Sequence, residues 1–161
     1  MGLDEVARIK QFFAEHHLHP TYLEHEAVIT SEDAAKTRGF ALKQGIKAIV
    51  ATDGAGWAVI DVPADKKVDL KKAAETLGWP KGKIRMATPD EVMEKTGCEL
   101  GAVPPFGHKE TMQILVDVGV YDNVESAFNI GVRTQSVKIA TSEMKHAFNV
   151  LGAKEGTFAK A

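Results

Sequence analysis

The stretch Lys47-Ala48-Ile49-Val50-Ala51-Thr52-Asp53-Gly54-Ala55-Gly56-Trp57-Ala58-Val59-Ile60 decides the fold. Two apolar runs flank Asp53-Gly54, a pair that tolerates the positive φ angles of a tight turn, so the stretch predicts a β-hairpin. Outward from it, helix and strand signals alternate to both ends. Upstream, Val6, Ile9, Phe12 and Phe13 recur at helical spacing within Asp4 to His17, and the chain then extends through Tyr22 and Leu23 as a strand. Thr30-Ser31-Glu32-Asp33 is a polar start signal for a short helix ending at Gly39.

Downstream, Asp69 caps a helix carrying Leu70, Ala73, Ala74 and Leu77, with Gly78 as its left-handed stop. Ile84-Arg85-Met86 is short and extended. Thr88-Pro89-Asp90-Glu91 places a capping Thr, a proline at the first helical position and Glu at the third, and Gly97 closes that helix. Gln113 to Val118, Ser126 to Ile130 and Ser136 to Ala140 read as strands. A last helix starts near Thr141 or Ser142 and runs to about Leu151, and the tail beyond Gly152 is expected to be loose. With no repeat and no long linker, residues 1–161 form one α+β (mixed α/β) domain: a mixed, mainly antiparallel curved sheet flanked by helices.

Composition agrees. The 161 residues hold 20 Lys+Arg against 22 Asp+Glu, with 44% hydrophobic and 26% charged residues, which excludes a disordered chain, a collagen and a coiled coil as the whole answer. A domain this long buries about 68–70% of its unfolded surface and needs no staples. The lone Cys98 cannot close an internal disulfide, and a reducing compartment fits it. Met1 to Val6 carries acids where a signal peptide needs positive charge, and no apolar run approaches the roughly 20 residues that span a bilayer. The expectation is a cytoplasmic protein without a membrane partner.

Standard catalytic signatures are missing: Gly-x-Ser-x-Gly, a P-loop, His-Glu-x-x-His and Cys-x-x-Cys are all absent. His16-His17-Leu18-His19 lies where a helix ends, and imidazolium suits a C-terminal dipole better than these rings suit a metal; no metal and no cofactor is expected. Cys98 has no identifiable base and reads as structural. Two features stand out. Lys47 opens an apolar strand, where a cation either snorkels to solvent or points at an anion. Gly101-Ala102-Val103-Pro104-Pro105-Phe106-Gly107 combines stiff prolines with permissive glycines, so it either connects rigidly or aims backbone N–H groups at a carbonyl or phosphate oxygen.

Together with Glu24-His25-Glu26, Thr30 to Ala35, Gly45-Ile46-Lys47, Asp69 to Lys72, Met86 to Val92 and Thr96-Gly97, that loop resembles the YbaK/ProX family from about Tyr22 to Phe148. The family is related to the editing domain inserted in bacterial prolyl-tRNA synthetases. The resemblance implies an editing-domain-like fold and a freestanding hydrolase that cleaves the ester of a mischarged aminoacyl-tRNA, tRNA-Pro or a related tRNA carrying a small wrong amino acid. It implies that Lys47 holds the terminal adenosine or a backbone phosphate and orients the ester, that Gly101 and Pro104 to Gly107 lie beside the ester, and that His25 lies near the pocket. Many relatives have Ser-Pro where this chain has Pro104-Pro105, and Asn129 to Thr134 matches the family only loosely. An aminoacyl-tRNA synthetase partner and a homodimer are compatible with the resemblance, although no exposed stripe demands a dimer.

An aminoacyl ester is already activated, so orientation plus about 3–4 kcal/mol of charge stabilisation can suffice, without an acylated protein residue. Val103, Phe106 and Val28 to Ser31, including Thr30 and Ser31, are candidate walls of a size-selecting pocket, with core packing as the competing role. Charge is uneven: residues 1–65 carry a net -4, residues 66–85 a net +5 and residues 86–161 a net -3. The middle block holds Lys66, Lys67, Lys71, Lys72, Lys81, Lys83 and Arg85, which is either a solvated helix face or a footprint for tRNA phosphates. The main alternative function is a non-catalytic module of the same fold that binds tRNA ends, nucleotides or a synthetase.

Overall fold

The computed structural model describes residues 3–24 and 42–160. The hairpin forms as its turn chemistry dictates. Strand β2 (Ile46–Thr52) pairs antiparallel with β3 (Trp57–Pro63) over seven residue pairs. Asp53 Oδ1 accepts from the amides of Ala55 and Gly56 at 3.0 and 2.7 Å, and those bonds hold its carboxyl below the usual aspartate range.

Helix α1 (Leu3–Glu15) precedes β1 (Thr21–Glu24). After the hairpin come α2 (Leu70–Leu77), β4 (Arg85–Met86) and α3 (Pro89–Thr96). Asp69 caps α2 by accepting from the amides of Lys71 and Lys72, and Gly78 ends it at φ 73°. Thr88 and Glu91 close a reciprocal capping box on α3, with Arg85 donating to both carboxylate oxygens of Glu91. Strands β5 (Gln113–Asp117), β6 (Glu125–Asn129) and β7 (Gln135–Ala140), helix α4 (Thr141–Val150) and strand β8 (Lys154–Gly156) complete the chain. Among the described residues, no helix is long and apolar enough to cross a membrane. The expected short helix ending at Gly39 lies outside the described residues.

The α+β class with mainly antiparallel pairing holds, but the strands divide between two sheets. One has the order β1-β7-β6, and the other β4-β2-β3-β5-β8. All pairs are antiparallel except β3 with β5 and β5 with β8. A parallel bridge from Gly45 to Ala127 joins the two sheets where β2 begins.

Alternation along the strands then sorts residues between two faces. On one face Ile46 joins Phe13, Phe106, Phe128 and Phe148 in the largest core cluster, while Val50 and Val59 pack with Val92, Cys98 and Val103. On the other, Ala51, Ile60 and Val62 pack with Ala73 of α2, Leu115 and Phe158. Lys47 belongs to this second face, which we call the α2 face.

The expectation of a loose tail is wrong. Strand β8 pairs parallel with β5, and Phe158 is 1% exposed inside the α2-face cluster. Asp117 fixes it: Oδ1 accepts from the amides of Phe158 and Ala159 at 2.7 and 3.0 Å, and Oδ2 from Gly119 at 2.9 Å. The amides of Asp69 and Lys160 complete the lacing by donating to the carbonyls of Phe158 and Lys67. Burying one phenyl ring stabilises by about 1.5–3 kcal/mol, and with the Asp117 bonds and the β5 pairing it holds a segment whose own sequence, Lys154-Glu155-Gly156, carries no strand pattern.

Candidate functional site

The bridge between the sheets fixes which residues share a side. With Gly45 opposite Ala127, Lys47 and Asn129 each lie two residues further along parallel strands, and so fall on the same side. Ser136 and Lys138 share that side, because they are the register partners of Asn129 and Ala127. Ile46 and Phe128 point the other way, into the core.

Asn129 connects this side to the Gly/Pro loop. It is 8% exposed, and its Nδ2 donates to the carbonyl of Gly101 at 3.0 Å. That bond assigns the amide, since only nitrogen can donate to a carbonyl, and it leaves Oδ1 buried with no partner among the described residues. Arg133 donates from Nε and Nη2 to the Leu100 carbonyl at 3.2 and 2.8 Å. The Gly131 amide donates to the Ala102 carbonyl at 2.8 Å. The start of the loop is therefore laced to the segment following β6, and Gly101, exposed at φ 84°, sits at the join.

Lys47 is half-buried. Loss of hydration pushes its ammonium below the ordinary lysine value, Asp65 partly restores it, and Lys67 lowers it again. A cation that is partly dehydrated and not fully neutralised is primed to attract an anion. Lys66, Lys67 and Lys71 are exposed around the adjoining α2, which packs on the same face as Lys47. Lys72 is half-buried beside them. Lys81 is tied to Glu75 at 2.5 Å and Arg85 to Glu91 at 2.7 Å, while Lys83 is exposed.

Lys47 and the Lys66–Lys72 cluster thus share the α2 face, and Asn129, two residues beyond the bridge that Gly45 makes, holds Gly101. It takes the loop's larger side chains elsewhere. Val103 packs against Val50 and Val59, and Phe106, 0% exposed, meets Phe12, Phe13, Phe128 and Phe148 at ring centroids 5.3–6.1 Å apart. Pro104 and Pro105 are buried too. Core packing accounts for the Val103 and Phe106 side chains, on the face opposite Lys47, so neither walls a pocket beside that ammonium. Gly107, at φ 75°, touches α1 so closely that a Cβ there would stand 2.7 Å from Ile9 Cδ1. His25, Thr30 and Ser31 lie outside the described residues.

Cys98 is buried, and desolvation pushes its thiol up to about 11, so it is a poor nucleophile. His19 is bonded through Nδ1 to Glu143 at 2.8 Å, and His16 stacks on Phe12. Asn129 is the residue that sequence reasoning passed over, and its signal was available as a polar side chain closing an otherwise apolar strand.

The site residues are thus a half-buried cation on β2, a glycine held by the Asn129 side chain, and exposed lysines around α2. The chain belongs to the aminoacyl-tRNA editing domain family, whose match covers residues 25–147. Editing in this family is hydrolysis of the aminoacyl ester, and the chain is an aminoacyl-tRNA deacylase. It is 36% identical over 124 residues to the multifunctional Ser/Thr-tRNA deacylase ProXp-y of Escherichia coli K12, covering 74% of this chain and 73% of that one. A proline-tRNA ligase of Trichlorobacter lovleyi is 33% identical over 92 residues, 56% of this chain but 16% of the ligase, as expected for one domain within a larger enzyme. Among solved structures, a candidate trans-editing enzyme for prolyl tRNA synthetase superposes with a TM-score of 0.81 at 25% identity, covering 98% of both chains.

Proposed function

We propose that the protein acts in trans on tRNA carrying a small wrong amino acid, on tRNA-Pro or a related tRNA, with serine and threonine first among the candidates. The E. coli relative named for those two amino acids supports this choice. The observation that carries the mechanism is the common side of Lys47 and Asn129, which holds Gly101. Lys47 grips a phosphate or the terminal adenosine and orients the ester, and the loop steadies the carbonyl as negative charge develops on its oxygen. The attacking oxygen comes from water, which the tRNA terminal hydroxyl can assist as a base, or from the substrate's own side chain. A deacylation panel of Ser-, Thr-, Ala- and Pro-tRNA is expected to show preference for the smaller acyl groups, and equal rates across side-chain sizes would sink the size-selective reading.

No acyl-enzyme forms in this mechanism. Rapid quenching during turnover of radiolabelled Ser-tRNA is expected to leave the protein unlabelled, and label on Cys98 or a serine would refute that step. The exposed lysines on the α2 face serve as a phosphate footprint. Changing Lys71 and Lys72 together to Glu is expected to weaken tRNA binding and to flatten log Kobs against log salt by about 1.4–1.8, the share of two phosphate contacts. An unchanged slope places the footprint elsewhere.

A further inference from the structure

The two ends of the Gly/Pro loop are held differently. Leu100, Gly101 and Ala102 each have a carbonyl bonded to Arg133, Asn129 or the Gly131 amide. From Val103 to Gly107 the main chain has far less to hold it. Pro104 and Pro105 lack an N–H, and the amides of Val103, Phe106 and Gly107 meet no acceptor among the described residues. Among the described residues one hydrogen bond remains in that segment: His108 Nε2 lies 2.6 Å from the carbonyl oxygen of Pro104.

A carbonyl only accepts, so Nε2 carries the proton and His108 is the donor. Its ring returns to Pro104 through the left-handed turn at Gly107, which is itself wedged against Ile9. Burial pushes the imidazole down to about 4, so the ring is neutral at physiological pH. The Nε2–H bond then orients the Pro104–Pro105 peptide plane, and with it the distance between the buried Phe106 end and the exposed Gly101 end.

We propose that His108 is a positioning residue of the deacylation site, holding the Pro104 carbonyl so that the Gly/Pro loop keeps its place beside the ester. The inference rests on the proposed role of that loop. Displacing a reacting group by about 1 Å costs up to about 100-fold in rate, which sets the scale of the effect.

The test compares His108→Ala and His108→Gln with the wild type, because a glutamine Nε2 reaches about as far as the histidine Nε2 and keeps an N–H donor. With mischarged Ser-tRNA as substrate, His108→Ala is expected to lower kcat about 10- to 100-fold with KM within about threefold, and His108→Gln to recover most of the loss. Tm is expected to fall by only about 2–4 °C in the alanine variant. Hydrogen exchange is expected to quicken in the amides of Val103, Phe106 and Gly107 and nowhere else. Unchanged kcat in His108→Ala, or a glutamine variant as slow as the alanine one, overturns the inference. Unchanged loop exchange overturns it independently of activity. A wild type inactive on every acyl group, with the exchange result still positive, overturns the proposed substrate instead.

Discussion

Replacing Lys47 by alanine is expected to reduce deacylation of mischarged tRNA about 100- to 1,000-fold, the range found when one group that stabilises developing charge is removed. The fold is expected to survive. Lys47 sits at the mouth of β2, half-buried, and the described cores on both faces of the sheet close without its ammonium. Circular dichroism and Tm on the same preparation separate loss of chemistry from loss of structure. Lys47→Arg is expected to recover only part of the rate, because a planar fork is a poor substitute for a compact point charge. The lowered lysine pKa adds a sign. The charged form is the one that grips an anion, so enzymatic rate above the spontaneous background falls as pH rises, starting earlier than for an exposed lysine. An alanine variant within threefold of wild type would remove Lys47 from the mechanism. A wild type that binds tRNA without turning it over would favour the binding-module alternative.

Local signals made most of the fold legible. Asp69 with Gly78, Thr88 with Glu91, and Asp53-Gly54 fix helix ends and a turn through bonds spanning two to five residues, and each element they bound is present. What escaped notice depends on partners far apart in the chain. Strand β8 owes its order to Asp117, some 40 residues away, and to a phenylalanine whose slot is built by β2, β3, β5 and α2. The Gly45–Ala127 bridge that turns one expected sheet into two joined ones has no local signature either.

The site divides the same way. Lys47 stood out because a cation in a greasy strand needs a reason, and the loop because its prolines and glycines restrict the backbone. That the loop's bulky side chains go to the core while Asn129 holds its first glycine depends on strand register, which composition cannot reveal. The bond from Asn129 to Gly101 spans 28 residues. The bond from His108 to Pro104 spans only four and could have been suspected from spacing alone.

Asp61→Asn is expected to make the protein more stable than the wild type at neutral pH, by a margin that grows with pH. Asp61 lies in the middle of β3 at 0% exposure, and neither carboxylate oxygen has a hydrogen-bond partner among the described residues. Its register neighbours are Ala48 on β2 and Val116 on β5. The Tyr121 hydroxyl, buried and without a hydrogen-bond partner among the described residues, is pushed up by burial and by the nearby Glu155 and Asp61, and Lys145 reaches the Tyr121 ring. Among the described residues no cation pairs with it, and desolvation drives the carboxyl well above its ordinary value, so burial favours the protonated acid.

The unfolded chain releases that proton near pH 4. Above that point, and until the folded-state pKa is reached, the unfolded state binds one proton fewer than the native state. Stability therefore falls by about 1.4 kcal/mol for every pH unit on account of this one group. Asparagine keeps the shape and cannot ionise, so the linkage disappears. Urea titrations at pH 5, 6 and 7 are expected to show the two stabilities diverging in favour of Asp61→Asn as pH rises, by about 1.4 kcal/mol per unit for as long as the native carboxyl keeps its proton. A gap that does not change with pH would mean that Asp61 is ionised in the native state and compensated by a partner. Since most buried polar groups are satisfied, an uncompensated acid here carries a stability cost, and an amide of the same size removes the part of it that comes from ionisation.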